Sequence, residues 1–272
     1  MQRASRPTPV TLLAAAHLGP ALAVTLIVAL LAAFSALPAS TTALVTGAVL
    51  AGQLTIGWGN DLLDLDRDRH AGRCDKPLAS GELSPLHVQA GIALALVACV
   101  VLSLSAGWRS AVVHLLLVVA SGHAYNVGLK ATAASWVPYA VAFGSLPAVV
   151  TFAGTSPEAP PWWMVTAAAA LGVAAHFLNT LPDFEDDVAT GVRGLPHRLG
   201  RPTSRFLATA LLLAASVTSV LGPGSPPPWG WAVLLATVAL AAVALLGRGR
   251  LPFQAAVAIA LLDVALLAGR AA

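Results

Sequence analysis

Charge is what this chain has least of. Asp, Glu, Lys and Arg make up 10% of its 272 residues, against about 25% in an average soluble domain. With 57% hydrophobic residues and a mean hydropathy of +0.80, that scarcity excludes a soluble globular fold, because one water-soluble core cannot hide so much apolar surface. Cysteine is nearly absent. Cys74 and Cys99 are too few for a disulfide framework, and neither has metal-ligand spacing to another Cys or His. Aromatics are 6% of the chain and do not interleave with its basic loops, and the net charge is only +3, so a nucleic-acid partner is excluded. The histidines at 17, 70, 87, 114, 123, 176 and 197 form no HExxH or similar metal motif.

What the chain does have is apolar runs. A span needs about 20 mostly apolar residues. Nine segments qualify: 14–36, 41–59, 84–106, 109–126, 133–153, 161–181, 203–221, 229–247 and 251–269. The expectation is an all-α polytopic membrane protein, one domain over residues 1–272, with nine transmembrane helices around a central cavity. The first run exceeds the roughly 7–15 residues of a signal-peptide core, so it reads as a helix that stays. The boundary near Gly128–Thr132 is the least defined. With nine spans, the N-terminus and the even-numbered loops hold 13 of the 15 Lys and Arg residues. The positive-inside rule then puts the N-terminus and those loops on the cytoplasmic side of the cell membrane. Trp162, Trp163, Trp229 and Trp231 fall at the opposite ends and read as an interfacial belt.

The scarce acids are concentrated. Ten of the twelve lie in two loop regions, around residues 61–82 and 183–187. Within them one pattern occurs twice: Asn60, Asp64 and Asp68, then Asn179, Asp183 and Asp187, offset by 119 residues. On a helix, positions i, i+4 and i+8 share a face, so each copy places an amide and two carboxylates on one stripe. The repeat points to two pseudo-repeated halves. Asp61 joins the first stripe. Carboxylates this dense repel one another unless a cation intervenes. Magnesium takes oxygen ligands, commonly one or two carboxylates completed by substrate phosphates. The neighbouring Arg67, Arg69, Arg73, Lys76, Lys130, Arg193 and Arg198 either hold phosphate oxygens or only anchor loops on the cytoplasmic side.

The residues around these stripes carry a resemblance. Asn60-Asp61-Leu62-Leu63-Asp64-Leu65-Asp66-Arg67-Asp68 resembles the NDxxDxxxD motif of the UbiA-type intramembrane prenyltransferases, and Asp183–Asp187 resembles their second, DxxxD, motif. The segment Asp75-Lys76-Pro77-Leu78-Ala79-Ser80-Gly81 is similar to the family's RPLxSG, with Lys76 in place of Arg. Tyr125 and Lys130 resemble a Tyr…Lys element between the halves, and Gly191–Gly200 resembles the stretch after the second motif. The resemblance implies that Asp61, Asp64, Asp68, Asp183 and Asp187 hold Mg2+, with Asp64, Asp68, Asp183 and Asp187 catalytic. Asn60, Arg73, Lys76, Tyr125, Lys130, Asn179 and Arg198 would bind substrate. It implies transfer of an isoprenyl group from an isoprenyl diphosphate donor to a hydrophobic acceptor, aromatic or lipid-like, in the bilayer. Two departures stand out: Asp66 and Arg67 add charge inside the first motif, and Gly194 replaces a common Thr or Ser.

Two other outcomes fit the same residues. The fold that the resemblance implies also hosts terpene cyclisation and transfer to sugar phosphates, and a cation-coupled transporter is the rival from another class. Charges clustered at span ends rather than the midplane weigh against the transporter. Asp263 lies inside the last apolar run, where an ionisable residue is a functional hypothesis by default. A pair with Arg270, an interhelical hydrogen bond and a substrate role all stay open. His176, three residues before Asn179, faces the same cavity or packs between helices, and His123 near Tyr125 is equally open.

Overall fold

The computed structural model describes residues 9–154 and 157–271. The expectations about Arg3 and Arg6, and about the side chain of Arg270, lie outside the described residues. Those described are helical, with no strand among them. Among the described residues, nine long helices carry the architecture: α1 (Leu18–Phe34), α2 (Ala39–Leu63), α3 (Pro85–Ala106), α4 (Trp108–Val127), α5 (Val137–Thr151), α6 (Trp162–Thr180), α7 (Arg201–Leu221), α8 (Pro228–Leu246) and α9 (Leu251–Ala271).

Six of them, α2, α3, α4, α6, α7 and α8, are long and apolar enough to cross a membrane. Two of the other three, α1 and α5, fall short of the expected span length. The 17 residues of α1 and the 15 of α5 cover about 22–26 Å at 1.5 Å per residue, less than a bilayer core of about 30 Å. The reasons are local. α1 stops where Ala36 takes a left-handed conformation, φ 55°, before Leu37-Pro38. α5 starts late because the segment before it folds as a 3-10 turn over Leu129–Ala131 and further tight turns. α4 is also irregular, with a π-helical stretch at His114–Val119.

The chain packs largely in sequence. α1 pairs with α2, α2 with α3, α5 with α6, α6 with α7, and α8 with α9; α9 returns to α1 and closes the ring. One apolar cluster joins α1, α2, α4 and α5 around Val28, Val49, Val118 and Val150. Another joins α6, α7, α8 and α9 around Phe177, Leu212, Ala244 and Ile259. Close approach depends on small residues. A Cβ on Gly172 of α6 would come within 2.5 Å of Phe143 Cβ and 2.7 Å of the Tyr139 carbonyl on α5. α3 and α8 lie on the outside and present Leu94, Val97, Leu235 and Leu246 outward, as lipid-facing helices do.

Candidate active site

Both stripes begin inside a long helix and leave it at the second residue. Asp64 terminates α2 with φ −89° and ψ 0°, and Asp183 stands before the short helix Phe184–Ala189 with φ −99° and ψ 15°. The first stripe is therefore not one unbroken helix. Its i→i+4 spacing survives because Asp64 N donates to the Asn60 carbonyl at 2.9 Å and Asp68 N to that of Asp64 at 2.8 Å. In the second, Asp187 N donates to the Asp183 carbonyl at 2.8 Å. Both motifs then end alike. The amide five residues after the last Asp returns to that residue's carbonyl, Arg73 to Asp68 at 3.0 Å and Val192 to Asp187 at 2.8 Å. The glycine between, Gly72 or Gly191, takes a left-handed φ of 68° or 85°. This is the glycine-terminated C-cap that folds the chain back over a helix end. The backbone thus repeats the sequence repeat, motif by motif.

The two motifs open on one cavity of about 380 Å3. Asn60, Asp64 and Asp68 line it from one side, and Asn179, Asp183 and Asp187 from the other. Arg67, Arg73, Lys76, Lys130 and Tyr125 also face it. Away from these the walls are mostly apolar, from α1, α2, α4, α5, α6 and α9, with polar exceptions that include Gln53, Asn126, Ser219 and Asp263. Among the described residues, no three His, Cys, Asp or Glu side chains converge on one point as an ion site. Each motif offers one or two carboxylates, which is what magnesium takes when phosphate oxygens supply the rest.

The carboxylates are held by cations. Lys130 Nζ donates to both oxygens of Asp64 at 2.6 and 2.7 Å, and Arg67 donates to Asp64 at 2.7 Å. Lys76 Nζ bridges Asp61 and Asp68 at 2.9 and 2.8 Å. Burial alone would push Lys76 down, but those two carboxylates outweigh it and hold the ammonium above its ordinary range. For Lys130 burial wins over Asp64, and the ammonium sits below its usual range. Arg73 is raised by its hydrogen bonds to Asp75 and faces Asp183 Oδ1 at 3.6 Å. Asp187 has the least help: burial pushes its carboxyl up to about 6. His197 Nε2 lies 3.4 Å from it, but burial holds that imidazole below its usual range, which disfavours the charged form an ion pair needs.

Some expected residues stand elsewhere. Asp61 does not reach the cavity; it is buried behind the stripe between Lys76 and His17, whose Nε2 lies 2.9 Å from it. Arg198 is exposed, and its Nε donates to the Arg193 carbonyl at 3.0 Å. His176 packs against Tyr125 and Tyr139 and meets Ser135 Oγ at 3.0 Å instead of lining the cavity. His123 meets Thr55 Oγ1 at 3.2 Å. Trp163, at the start of α6, also lines the cavity. The missing hydroxyl at Gly194 has a local reason. A Cβ there would come within 2.7 Å of the Lys130 carbonyl and 2.8 Å of Ser135 Oγ; Ser135 supplies a hydroxyl from across the gap and accepts from Leu195 N at 2.8 Å. Gln53, Tyr139 and His17 line the cavity without having been expected to. Gln53 left a signal, a polar residue in an apolar run seven positions before Asn60 and so on its stripe.

The model of the UbiA prenyltransferase family matches residues 21–265. The chain belongs to that family. The UbiA fold extends over the whole chain in solved structures. A UbiA homologue from Aeropyrum pernix K1, in its apo form, superposes with a TM-score of 0.74 at 19% identity, covering 98% of this chain and 99% of that one. A UbiA homologue from Archaeoglobus fulgidus, bound to GPP and Mg2+, gives 0.72 at 15% identity, covering 94% and 98%. A structure described as addressing digeranylgeranylglyceryl phosphate synthase in membranes gives 0.62 at 18%, covering 96% of each chain. The comparison with curated proteins returned no match. Family membership together with several long apolar helices makes this UbiA-type chain a multi-pass membrane protein.

Proposed function

We propose that this protein transfers an isoprenyl group from an isoprenyl diphosphate to a hydrophobic acceptor in the membrane, with magnesium. The observation that carries the reading is the meeting of two carboxylate motifs from different helices at one end of an apolar cavity. The donor set fits magnesium, since every candidate ligand is a carboxylate or amide oxygen. The Archaeoglobus homologue bound to GPP and Mg2+ supports the same pairing.

In this reading Asp64 and Asp68 hold one side of the ion site, and Asp183 and Asp187 the other. Asn60 and Asn179 orient the diphosphate. Magnesium, when bound, offsets the charge that grows on the leaving diphosphate. Lys76, Lys130, Arg67 and Arg73 turn from the carboxylates toward phosphate oxygens when the donor arrives. Asp61 keeps Lys76 in place from behind. Tyr125 sits where the charged end meets the apolar walls and orients the donor or acceptor. The apolar walls hold the isoprenyl tail and exclude water that would quench an allylic cation. The nine helices form nine spans in two related halves, with this end of the cavity toward the cytoplasm of the cell.

The test is diphosphate release by the purified protein in detergent. Geranyl, farnesyl and geranylgeranyl diphosphates are supplied, with and without magnesium, alongside a lipid extract as acceptor pool. Release is expected to need magnesium and to be lost in Asp64→Ala and Asp183→Ala. Full activity in either variant would overturn the assignment.

A further inference from the structure

The far end of the cavity carries a polar group that diphosphate chemistry does not use. Asp263 of α9 lines the cavity and is 5% exposed. Its Oδ1 accepts from Ser216 Oγ of α7 at 2.8 Å, and Ser216 Oγ accepts from Thr237 Oγ1 of α8 at 3.2 Å. Three helices therefore fix this carboxyl in one orientation. Its Oδ2 is buried with no hydrogen-bond partner among the described residues. Ser219, one turn after Ser216, lines the same wall.

This group lies at the end opposite the two motifs. The first half of α9, at Ala256 and Ile259, packs with Phe177 and Leu178 near Asn179. Val264, next to Asp263, packs instead with the cluster that holds Leu31, and Met164 at the start of α6 joins it there. From Asn179 back to Met164 is 15 residues, about 22 Å of helix. Phe253, Ala256, Val257, Ala260, Asp263 and Val264 line the cavity along α9 at helical spacing, apolar until Asp263.

A purely apolar tail would leave Oδ2 unpaired, which is the costly state for a buried polar atom. A hydroxyl pairs with a carboxyl whether it is protonated or ionised, since it both donates and accepts. We propose that the cavity's far end is a hydroxyl-binding subsite built on Asp263, selecting an elongated apolar ligand that carries a hydroxyl at that end. The inference rests on the prenyltransferase reading for what occupies the near end. The hydroxyl belongs either to the tail of the diphosphate donor or to a separate alcohol.

Equilibrium binding to the full chain in lipid nanodiscs separates the two sources. One arm compares geranyl, farnesyl and geranylgeranyl diphosphates with their terminally hydroxylated counterparts, in magnesium. The other compares farnesol with farnesene, without magnesium. A preference for the hydroxylated ligand of about tenfold is expected in one arm. It should disappear in Asp263→Leu and persist in part in Asp263→Asn, which keeps a hydrogen-bonding group. The arm that shows it identifies the source. No hydroxyl preference in either arm, or a preference that survives Asp263→Leu, overturns the subsite. Asp263→Asn guards against misfolding: if both variants bind nothing while wild type shows the preference, thermal unfolding of Asp263→Asn at the wild-type midpoint upholds the subsite, and a collapsed midpoint makes Asp263 structural and overturns it. Failure of the prenyltransferase reading looks different, because unmodified diphosphates would then bind no better with magnesium than without it.

Discussion

At the scale of single residues, the site is a balance of carboxylates and their cations. Asp64 is the most heavily held, by Lys130 and Arg67 together. Replacing it by Ala removes a proposed ion ligand and strands both cations; diphosphate release is expected to fall at least about 100-fold, measured at saturating donor. Asp187 gives a pH dependence whose sign is fixed by burial. Its carboxyl is raised to about 6, so between the ordinary carboxylate range and that value the folded protein keeps a proton that the unfolded chain has lost. The metal-free protein therefore loses stability as pH rises through that window, and in the proposed site magnesium would have to displace the same proton below it. Apparent magnesium affinity is expected to weaken as pH falls below about 6, by up to about tenfold per unit; titrations in Asp187→Asn should be weaker and flat across that range. That each stripe would turn one face to a common cavity was legible in the sequence, because residues at i, i+4 and i+8 gather on one side of a helix. Where Asp61 stands was not legible: i+3 spacing to Asp64 does not say which side of a stripe a side chain takes once a lysine fifteen residues on can reach behind it.

At the scale of elements, hydropathy located the nine long helices among the described residues but overran α1 and α5. Proline and local backbone geometry shorten α1 and α5, and a π-helical stretch in α4 leaves no mark on an apolar run. The break at Asp64 was equally hidden, since its hydrogen bonds keep helical spacing through the bend. Glycine contacts were unreadable because they depend on which helix arrives opposite. They are also where packing is least forgiving. Gly172→Ala drives a Cβ into Phe143 and the Tyr139 carbonyl, an overpacking that costs about 1–3 kcal/mol. Its unfolding midpoint is expected to drop by about 5 °C, while Gly19→Ala, with nothing within 4 Å, should hold within a degree or so. Equal midpoints for the two variants would mean that α5 and α6 do not meet at that glycine.

At the scale of the whole molecule, the uneven distribution of Lys and Arg predicts an orientation that one thiol can report. Cys74 is exposed in the loop after the first motif, and Cys99 is buried. A membrane-impermeant maleimide is expected to label Cys74 in inverted vesicles and not in right-side-out ones, leaving Cys99 unreacted in both; the reverse pattern would turn the molecule over. Which helices surround the cavity could not be read from the chain, because ring closure by α9 against α1 joins its two ends. The charges gathered at one mouth of a greasy chamber have a kinetic consequence. A donor whose head is soluble and whose tail is not reaches this mouth by moving along the surface of the bilayer. Its useful concentration is then a number per unit of lipid, not per unit of volume. Adding inert phospholipid to a fixed amount of enzyme and donor should slow turnover, while adding buffer should leave it unchanged.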